Sequence, residues 1–343
     1  YCNILTPTGF KKLSDLSVGD EVMGHDGKVQ KVLGIYPQGI RPVYRIMTND
    51  SAITYCDEEH IWTVRSSTGN SRKAGFKNVT LKEMIAKGIS CPLSPSRQST
   101  TRKAIPRYEI PVAEAMDYPE KEYEVNPYIL GVLIGDGSLT GNVAMFSNPD
   151  MDNQILEEVK MLLPSVYSIR KNEAPQCPQY SIVLRGNGEG YIQKIKRLGL
   201  NVHSGDKFIP SEYKLGSREQ RLALLRGLMD TDGHANKNRV SFSTSSRILA
   251  DDFVHLVLSL GGIAKAGGYP REDKGIEYRV TVNMSECPFT LERKAAQWKP
   301  VTPSRYIIDA EKIEDSECVC IKVSNEDELY ITDDFIVTHN TTL

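Results

Sequence analysis

Short runs of alternating apolar and polar residues dominate the first hundred positions of the chain. Residues 31–36 and 43–47 show this alternation, and together with Glu21–Met23 they lie between turn signals such as His25-Asp26-Gly27-Lys28. A further turn signal stands at Ser67-Thr68-Gly69-Asn70. Period-two alternation bounded by Gly, Pro, Asn and Ser is typical of strands joined by turns. The segment therefore predicts an all-β domain.

The hydrophobic pattern changes near residue 126, where longer apolar stretches replace the short alternating runs. A compact apolar helix is predicted at 128–137, and further helices are predicted at 150–163 and 217–229. Strand-like runs at 179–184 and 278–282 lie between and after these helices. The middle of the chain therefore predicts an α+β domain.

Strand-like runs return after Pro303, at 318–323, 329–332 and 335–337. Residues 92–107 are rich in Pro, Ser, Thr and Arg, a composition that predicts a linker or a mobile loop ahead of the middle domain. We therefore predict a β domain that is interrupted by an α+β insertion.

The overall composition is that of a globular protein, with 40% hydrophobic and 25% charged residues. A length of 343 residues predicts two domains or three. No apolar run approaches the roughly 20 residues that a membrane helix needs, and the first six residues lack the basic start and apolar core of a signal peptide. We therefore expect a soluble cytoplasmic protein without a membrane partner.

Cysteine usage and charge exclude some functions and weaken others. Seven scattered cysteines make a poor disulfide framework, and no CxxC pair suggests zinc, so most are expected to be reduced core thiols. The formal net charge of −2 counts against a dedicated DNA-binding domain. The charge is uneven, however, with basic clusters at 97–107 and 194–197 and an acidic segment at 311–334, so a basic face remains compatible with it.

Two segments of the middle region repeat one theme. Residues 129–137 and 225–233 both place Gly at the third position and both end in Asp-Gly. The Gly would let two helices approach closely, and the terminal Asp-Gly puts a carboxylate where each helix ends. Such helices, packed side by side, would bring Asp136 and Asp232 together. Paired carboxylates suit magnesium, and metal held there could activate water at a phosphodiester.

These two segments resemble the two motif copies of the LAGLIDADG homing endonucleases. The resemblance implies that Asp136 and Asp232 are the metal-binding catalytic acids, that Mg²⁺ is the cofactor and that double-stranded DNA is the substrate. Lys207, in Lys207-Phe208-Ile209-Pro210, matches the lysine-bearing segment of that family and is the candidate catalytic lysine. The segment 239–245 matches the strand after the second motif, with DNA contact as its implied role. The first copy departs from the family pattern, because Ile134 stands where the first Asp usually lies.

The end of the chain offers a different chemistry. Asn340 can attack its own carbonyl carbon through its side-chain amide, which cleaves the next peptide bond as a succinimide forms. His339 can donate a proton to that carbonyl or to the leaving amine. Thr341 supplies a nucleophile just beyond the break. The position of His339-Asn340-Thr341 after an apolar run gives this short motif its weight.

Two upstream features accompany this ending. Leu16-Ser17-Val18-Gly19-Asp20-Glu21-Val22 has the form L-x-x-G-D-x-V, and His60 follows three residues after an acidic one. Together with the ending they resemble the Hint fold of inteins, which excise themselves and join their flanking segments in cis. The resemblance covers about residues 1–115 and 300–340, and it implies that His60 assists breakage of the upstream peptide bond.

Two routes for that upstream step stay open. Trp62, Cys320 and Thr338 resemble the Trp-Cys-Thr signature of class 3 inteins, in which an internal cysteine attacks the upstream junction directly. Cys320 would then need a lowered pKa or a nearby base. The usual intein instead opens with a nucleophilic Cys or Ser, and Cys2 is the candidate for that role. Glu328 occupies a place where many inteins have His, which leaves the acid–base assignment there open.

We therefore predict an all-β Hint (horseshoe-like) splicing domain at 1–117 and 294–340. It is interrupted by an α+β LAGLIDADG endonuclease domain at 118–293 and followed by flanking residues at 341–343. The protein is expected to be a monomer. Thr341-Thr342-Leu343 would complete a phosphate-binding loop after an upstream Gly-Lys, which points to a replicative DNA helicase as host.

Two alternatives accompany this prediction. The endonuclease domain could be degenerate and only bind DNA, or the outer domain could be a Hint-type autoprocessing element that cleaves without ligating. The intact pair of Asp136 and Asp232 favours an active nuclease. Asn340 followed by Thr341 favours ligation, because cleavage alone needs no downstream nucleophile.

Overall fold

The structure is a computed structural model that describes residues 2–67, 75–99, 104–172, 177–236, 239–272 and 275–340. It divides into two compact units. The first unit combines Tyr1–Asp117 with Pro303–Leu343, and the second is Tyr118–Thr302. Most of the turn predicted at Ser67-Thr68-Gly69-Asn70, the candidate nucleophile Thr341 and the rest of the flank at 341–343 lie outside the described residues.

The chain begins with short strands and one helix. They are β1 (Asn3–Thr6), β2 (Gly9–Lys12), β3 (Glu21–Met23), β4 (Val29–Thr48), β5 (Ile53–Asp57), β6 (Ile61–Ser66), β7 (Lys77–Thr80), α1 (Leu81–Lys87), β8 (Ser90–Pro92), β9 (Ala104–Pro106) and β10 (Tyr108–Ile110). A capping box starts α1: the Thr80 side chain accepts from the Glu83 backbone N–H, and the Glu83 carboxylate accepts from the Thr80 N–H.

The second unit mixes helices and strands. They are α2 (Pro127–Asp136), β11 (Gly137–Ser138), β12 (Met145–Ser147), α3 (Asn153–Leu162), β13 (Tyr167–Asn172), β14 (Gln179–Leu184), α4 (Tyr191–Arg197), α5 (Arg218–Asp232), β15 (Gly233–Asn236), β16 (Arg239–Thr244), α6 (Arg247–Ser259), β17 (Ile263–Arg271), β18 (Gly275–Asn283) and α7 (Glu292–Ala295). The chain then returns to the first unit in β19 (Arg305–Val323), β20 (Leu329–Thr332) and β21 (Ile336–His339). The predicted fold class, an all-β domain interrupted by an α+β domain, is confirmed.

The structure adds two local details that the sequence patterns did not show. The runs at 31–36 and 43–47 belong to one strand, β4, which continues through Pro37 and Pro42. It can do so because its partner β19 pairs with it in a register that shifts at several points, and proline is tolerated at such irregularities. The segment 92–107, predicted as a linker, contains β9 and the end of β8, which pair with each other.

The first unit contains two main sheets. One has the strand order β2-β1-β20-β21, so that the beginning and the end of the chain lie in the same sheet. The other has the order β3-β4-β19-β10-β6-β7, with β5 also paired to β4. Antiparallel pairing of β4 with β19 joins the two sequence parts of this unit across the insertion.

One buried ion pair fixes the start of β19. Arg305 Nε and Nη2 donate to Asp50 Oδ2 at 3.0 and 2.6 Å, and both side chains are almost fully buried. The same guanidinium donates to the carbonyl oxygens of Phe335 at 2.7 Å and Asp334 at 3.0 Å. The pair therefore connects the turn after β4, the first residue of β19 and the turn that precedes β21.

The second unit consists of two halves with the same order of elements: helix, two strands, helix, two strands, helix. Their sheets have equivalent strand orders, β11-β12-β14-β13 and β15-β16-β18-β17. Helices α2 and α5 begin the two halves and pack against each other in the apolar core. No helix among the described residues combines the length and apolarity needed to cross a membrane.

Candidate functional sites

Close contact between α2 and α5 depends on two glycines. A Cβ atom on Gly131 would lie 2.4 Å from the carbonyl oxygen of Leu224, and one on Gly227 would lie 2.3 Å from that of Tyr128. Both distances are shorter than van der Waals contact, so any larger residue would push the helices apart. The predicted close approach at the third position of each motif is therefore confirmed.

The paired helices end at two carboxylates on the same side of the unit. Helix α2 ends at Asp136 and helix α5 ends at Asp232. Burial and the charge of Asp136 raise the pKa of Asp232 to about 7, and burial raises the pKa of Asp136. Like charges at short range disfavour ionisation of both groups. The effect of the Asp136 charge on the pKa of Asp232 thus reflects the close approach of the two acids.

A cleft of about 390 Å³ opens beside Asp232. Its wall includes Lys207, together with Ser243, Thr244 and Ser245 from the segment that the sequence linked to DNA contact. Arg271 of β17 and Glu277 of β18 also line the cleft, and they form an ion pair with each other. The cleft therefore combines two acids, two basic side chains and hydroxyl donors, a set that can contact a phosphodiester.

Lys207 is nearly fully buried beside the end of α2. Its ammonium donates to the carbonyl oxygens of Gly135 at 2.8 Å and Gly137 at 2.9 Å, the residues on either side of Asp136. Burial lowers the pKa of Lys207, while the two acids oppose that shift. Two of its three N–H donors are thus used locally, and the third remains for water or phosphate.

The sequence did not indicate a second lysine, Lys294, in an equivalent position. Its ammonium donates to the carbonyl oxygens of Met229, Asp230 and Thr231 at the end of α5, at 2.6 to 3.0 Å. The positive charge of Lys294 also acts against the rise in the pKa of both Asp136 and Asp232. Each motif helix therefore ends at a carboxylate and is capped by a buried lysine. In the sequence, Lys294 looks like an ordinary charged helix residue.

The departure at Ile134 also has a structural explanation. Ile134 is buried in the apolar core. The corresponding residue of the second motif, Asp230, is equally buried and accepts hydrogen bonds from Tyr128 Oη at 2.9 Å and from the N–H groups of Thr290 and Leu291. The carboxylate of Asp230 thus anchors the segment that leads to Lys294, a task that Ile134 does not have.

The donor set at the helix ends fits magnesium. No group of three His, Cys, Asp or Glu residues that could hold a metal occurs in the part of the chain that the structure describes. Magnesium, however, is commonly held by one or two carboxylates and completes its shell with water and phosphate oxygens. Asp136 and Asp232 supply two carboxylates, and a cation between them would relieve the repulsion that raises the pKa of Asp232.

In the first unit, the two ends of the chain lie beside each other. Strand β1 pairs with β20, and β20 pairs with β21. Asn3 strengthens this contact because its backbone N–H and its side-chain amide donate to the two carboxylate oxygens of Asp333 at 2.9 and 2.7 Å. The fold thereby brings Cys2 and Thr338 to the same cavity.

A cavity of about 480 Å³ lies at this meeting point. The cavity is lined by five of the candidate splicing residues identified from the sequence: Cys2, His60, Trp62, Cys320 and Thr338. The cavity also exposes thiols that the sequence assigned to the core, among them Cys56 and Cys318. All seven cysteines of the chain are free thiols.

His60 contacts two members of the proposed trio, Thr338 and Trp62. Its Nε2 is 2.5 Å from Thr338 Oγ1, and its ring packs edge to face against buried Trp62 with ring centroids 5.6 Å apart. Burial lowers the pKa of His60 to about 4, with a further contribution from His339. The ring is therefore a neutral imidazole at physiological pH and can accept a proton.

Both candidate nucleophiles, Cys2 and Cys320, line this cavity. Cys2 contacts Thr54 Oγ1 at 3.8 Å, and burial followed by the charge of Asp333 raises the pKa of Cys2 to about 12. Because the thiolate is the nucleophile, a raised pKa disfavours attack by Cys2. Cys320 lies on β19 in the wall of the same cavity.

The end of the chain is arranged around His339. Its Nδ1 contacts the backbone carbonyl oxygen of Asn340, which belongs to the peptide bond that Asn340 would break. Its Nε2 is 3.0 Å from Asn78 Nδ2 and 3.6 Å from Glu328 Oε2. Asn340 itself is buried, and its side-chain oxygen has no hydrogen-bond partner among the described residues.

Comparison with protein families supports the sequence prediction for the middle of the chain. Residues 219–287 match the family model described as a LAGLIDADG-like domain. The replicative DNA helicase DnaB of Mycobacterium intracellulare is 28% identical, and the match covers 98% of this chain and 57% of the helicase. The chain thus spans a little over half the length of that relative. A replication factor C small subunit of Thermococcus kodakarensis is 30% identical over 56% of this chain and 20% of its own length.

The solved structures to which the chain is similar include an intein and a homing endonuclease. The MchDnaB-1 intein (N145AA) is 11% identical with a TM-score of 0.31, covering 99% of this chain and 96% of that chain. The homing endonuclease I-DmoI in complex with DNA and Ca is 12% identical with a TM-score of 0.35, covering 50% of this chain and 94% of its own. The LAGLIDADG-like domain that the sequence predicts is confirmed over residues 219–287.

The raised pKa of Asp232 predicts a stability effect. The folded-state pKa of about 7 lies above the ordinary value of 3.8, so ionisation of Asp232 destabilises the protein increasingly as pH rises through that interval. Asp232→Asn should therefore raise Tm at pH 8 by at least about 2–4 °C, the shift that about 1 kcal/mol produces in a domain of this size, and should change it little at pH 4.

The measurement is thermal unfolding in the presence of a chelator, so that no divalent cation stabilises the carboxylates. Exposed Asp206→Asn is the matched control and should leave Tm unchanged at both pH values. An equal or lower Tm for Asp232→Asn at pH 8 would show that burial and the charge of Asp136 do not raise the pKa of Asp232.

Proposed function

We propose that this chain, an intein that carries a LAGLIDADG domain, excises itself from a host protein, ligates the flanking segments and cuts the DNA of the uninterrupted host gene. The observation that carries the splicing part is the contact between His339 Nδ1 and the carbonyl oxygen of Asn340. A donor at that oxygen polarises the carbonyl that the Asn340 side chain attacks.

The downstream step is a cyclisation. Asn340 Nδ2 attacks the Asn340 carbonyl carbon, and the negative charge that develops on the carbonyl oxygen is stabilised by the Nδ1–H of His339. The bond to the nitrogen of Thr341 then breaks, the amide loses a proton and the new amine gains one, leaving a succinimide. Burial of Asn340 and His339 excludes the water that would compete for these groups.

For the upstream step we favour the class 3 route through Cys320. The Cys320 thiolate attacks the carbonyl carbon of the upstream junction, the junction C–N bond breaks and the freed amine takes up a proton. Neutral His60, which lines the same cavity, can accept the thiol proton. The high pKa of Cys2 argues against the alternative nucleophile.

Ligation follows by two exchanges. The hydroxyl of Thr341 attacks the thioester and releases the Cys320 thiol. After Asn340 cyclisation, the free amine of Thr341 attacks the resulting ester, and the flanks become joined by a peptide bond. Trp62 packs against His60 and is buried at the cavity wall, which limits premature hydrolysis of the thioester.

For the endonuclease, Asp136 and Asp232 would hold magnesium, which would activate water and stabilise the leaving oxygen at a phosphodiester. Lys207 and Lys294 keep the helix ends and their carboxylates in place and add positive charge next to the phosphate. Arg271 and the hydroxyls of Ser243 and Thr244 extend the cleft in which the backbone of double-stranded DNA would lie. Because both motif helices belong to one chain, a monomer suffices.

The similarity to a DnaB helicase bears on the identity of the host protein. We infer a replicative helicase as host, whose phosphate-binding loop would be completed by Thr341-Thr342-Leu343. Seven free thiols fit the reducing cytoplasm. Cleavage without ligation, or a nuclease that only binds DNA, remain the competing functions, and the following experiments distinguish them.

Asn340→Ala should abolish release of the downstream flank, because no other side-chain amide lies next to that bond. His339→Ala should slow release by about 10²-fold, the lower end for loss of a positioned acid, since His339 assists and does not react. Both are measured by mass spectrometry of the chain expressed between native flanks. Normal release by Asn340→Ala protein would overturn the assignment, and joined flanks in the parent would exclude cleavage without ligation.

Cys320→Ala should abolish hydroxylamine-sensitive cleavage at the upstream junction, whereas Cys2→Ala should leave it largely intact, because only Cys320 is expected to carry the thioester. Cys318→Ala is the matched control on the same strand and in the same cavity. The opposite result, with Cys2 required and Cys320 dispensable, would show that the chain follows the ordinary route.

Asp136→Ala and Asp232→Ala should each reduce magnesium-dependent cleavage of double-stranded DNA by more than about 10²-fold and leave the protein folded. The substrate is a duplex that joins the coding sequences of the two native flanks, and binding to it should weaken as salt increases. Asp206→Ala serves as the control. If the parent protein with magnesium binds this duplex but neither nicks nor cuts it, the degenerate alternative is correct.

A further inference from the structure

A threonine and an asparagine lie behind the ring of His339. Thr63 of β6 pairs with Asn78 of β7, and its Oγ1 donates to Asn78 Oδ1 at 2.8 Å. The other side-chain atom of Asn78, Nδ2, lies 3.0 Å from His339 Nε2. The three side chains therefore form one chain of hydrogen bonds that leads from Thr63 to the imidazole.

The orientation of the Asn78 amide sets the direction of both bonds. In the structure Thr63 Oγ1 donates to Asn78 Oδ1, and the NH₂ group of Asn78, which only donates, faces His339. His339 Nε2 must then accept, which places the proton of the neutral ring on Nδ1. That proton points at the carbonyl oxygen of Asn340.

We propose that Asn78, held by Thr63, is a positioning residue that selects the Nδ1–H tautomer of His339 for cleavage after Asn340. The inference rests on the proposed splicing function and adds a specific task to a residue outside the splicing motifs. Asn78 acts through His339 and does not touch the reacting atoms.

The selection has a competitor in the same place. Glu328 Oε2 lies 3.6 Å from His339 Nε2, and a carboxylate only accepts, so it favours a proton on Nε2. In the neutral ring that tautomer would leave Nδ1 without a hydrogen and the carbonyl of Asn340 without its donor. His60, the other titratable group that interacts with His339, is itself held neutral by burial. Asn78, closer at 3.0 Å, decides the outcome against Glu328.

The test uses Asn78→Ala, a substitution at an exposed position of β7 where folding is not at risk. The change leaves Nε2 to Glu328 and to water, which donates and accepts equally and so selects neither tautomer. Downstream cleavage should slow by about 10-fold, approaching but not exceeding the loss in His339→Ala. Asn78→Ala should add nothing to His339→Ala in the double variant, because both changes remove the same donor.

A spectroscopic measurement reports the tautomer without requiring cleavage. ¹⁵N-histidine is introduced into Asn340→Ala protein, which keeps the backbone carbonyl of residue 340 and cannot cyclise, and the His339 ring nitrogens are recorded at pH 8. We expect a protonated Nδ1 with Asn78 present and a shift toward protonated Nε2 in Asn78→Ala. Thr63→Val, which frees the amide to rotate, should give an intermediate result.

A compensating substitution gives the most direct test of the proposal. Glu328→Gln in the Asn78→Ala protein offers an amide donor to Nε2 and should restore both the Nδ1–H tautomer and part of the cleavage rate. An unchanged tautomer in Asn78→Ala, or an unchanged cleavage rate despite a changed tautomer, would overturn the proposal. If the parent fails to cleave at all, the proposed splicing function fails, and the ring nitrogens still show whether Asn78 selects the tautomer.

Discussion

The first unit depends on the buried pair of Arg305 and Asp50. The whole second unit separates β10 from β19, so the two sequence parts of the first unit must find each other without help from local contacts. Arg305 provides the fixed point, because one guanidinium binds Asp50 and the carbonyl oxygens of Asp334 and Phe335. Removing one partner of such a pair costs about 3–5 kcal/mol, since the other charge would stay buried and unpaired. From this point β19 runs along β4 and carries Cys320 to the cavity.

Once β19, β20 and β21 are in place, the fold controls reactivity by burial and by direction of hydrogen bonds. Four thiols line the same cavity, and burial beside Asp333 raises the pKa of Cys2. His60 stays neutral for the same reason and serves as an acceptor. The two ring nitrogens of His339 face groups of opposite kind. Nε2 faces a donor, Asn78, and Nδ1 faces an acceptor, the carbonyl oxygen of Asn340. Burial thus sets the protonation of His60, whereas hydrogen-bond partners set the orientation of His339.

The second unit, which contains the LAGLIDADG-like domain, holds two like charges close together. Gly131 and Gly227 remove the side chains that would separate α2 from α5, and the helices then carry Asp136 and Asp232 to one end. The resulting repulsion, which raises the pKa of Asp232, is offset by Lys207 and Lys294. The halves have the same order of elements but differ in detail, since only the second uses a motif aspartate, Asp230, to anchor the segment that bears its lysine.

The sequence by itself determined the two-part organisation, the helix contact at Gly131 and Gly227, and the residue types at both candidate sites, because these features are expressed in local period, turn residues and short motifs. It could not show that β4 continues through Pro37, because partner strand β19 decides that and lies more than two hundred positions away. It also missed Lys294 and Asn78, whose surroundings along the chain look like those of ordinary surface residues. Only the tertiary structure placed Asn78 against His339, raised the pKa of Cys2 and lowered that of His60, because burial and hydrogen-bond direction arise from residues that meet across the fold.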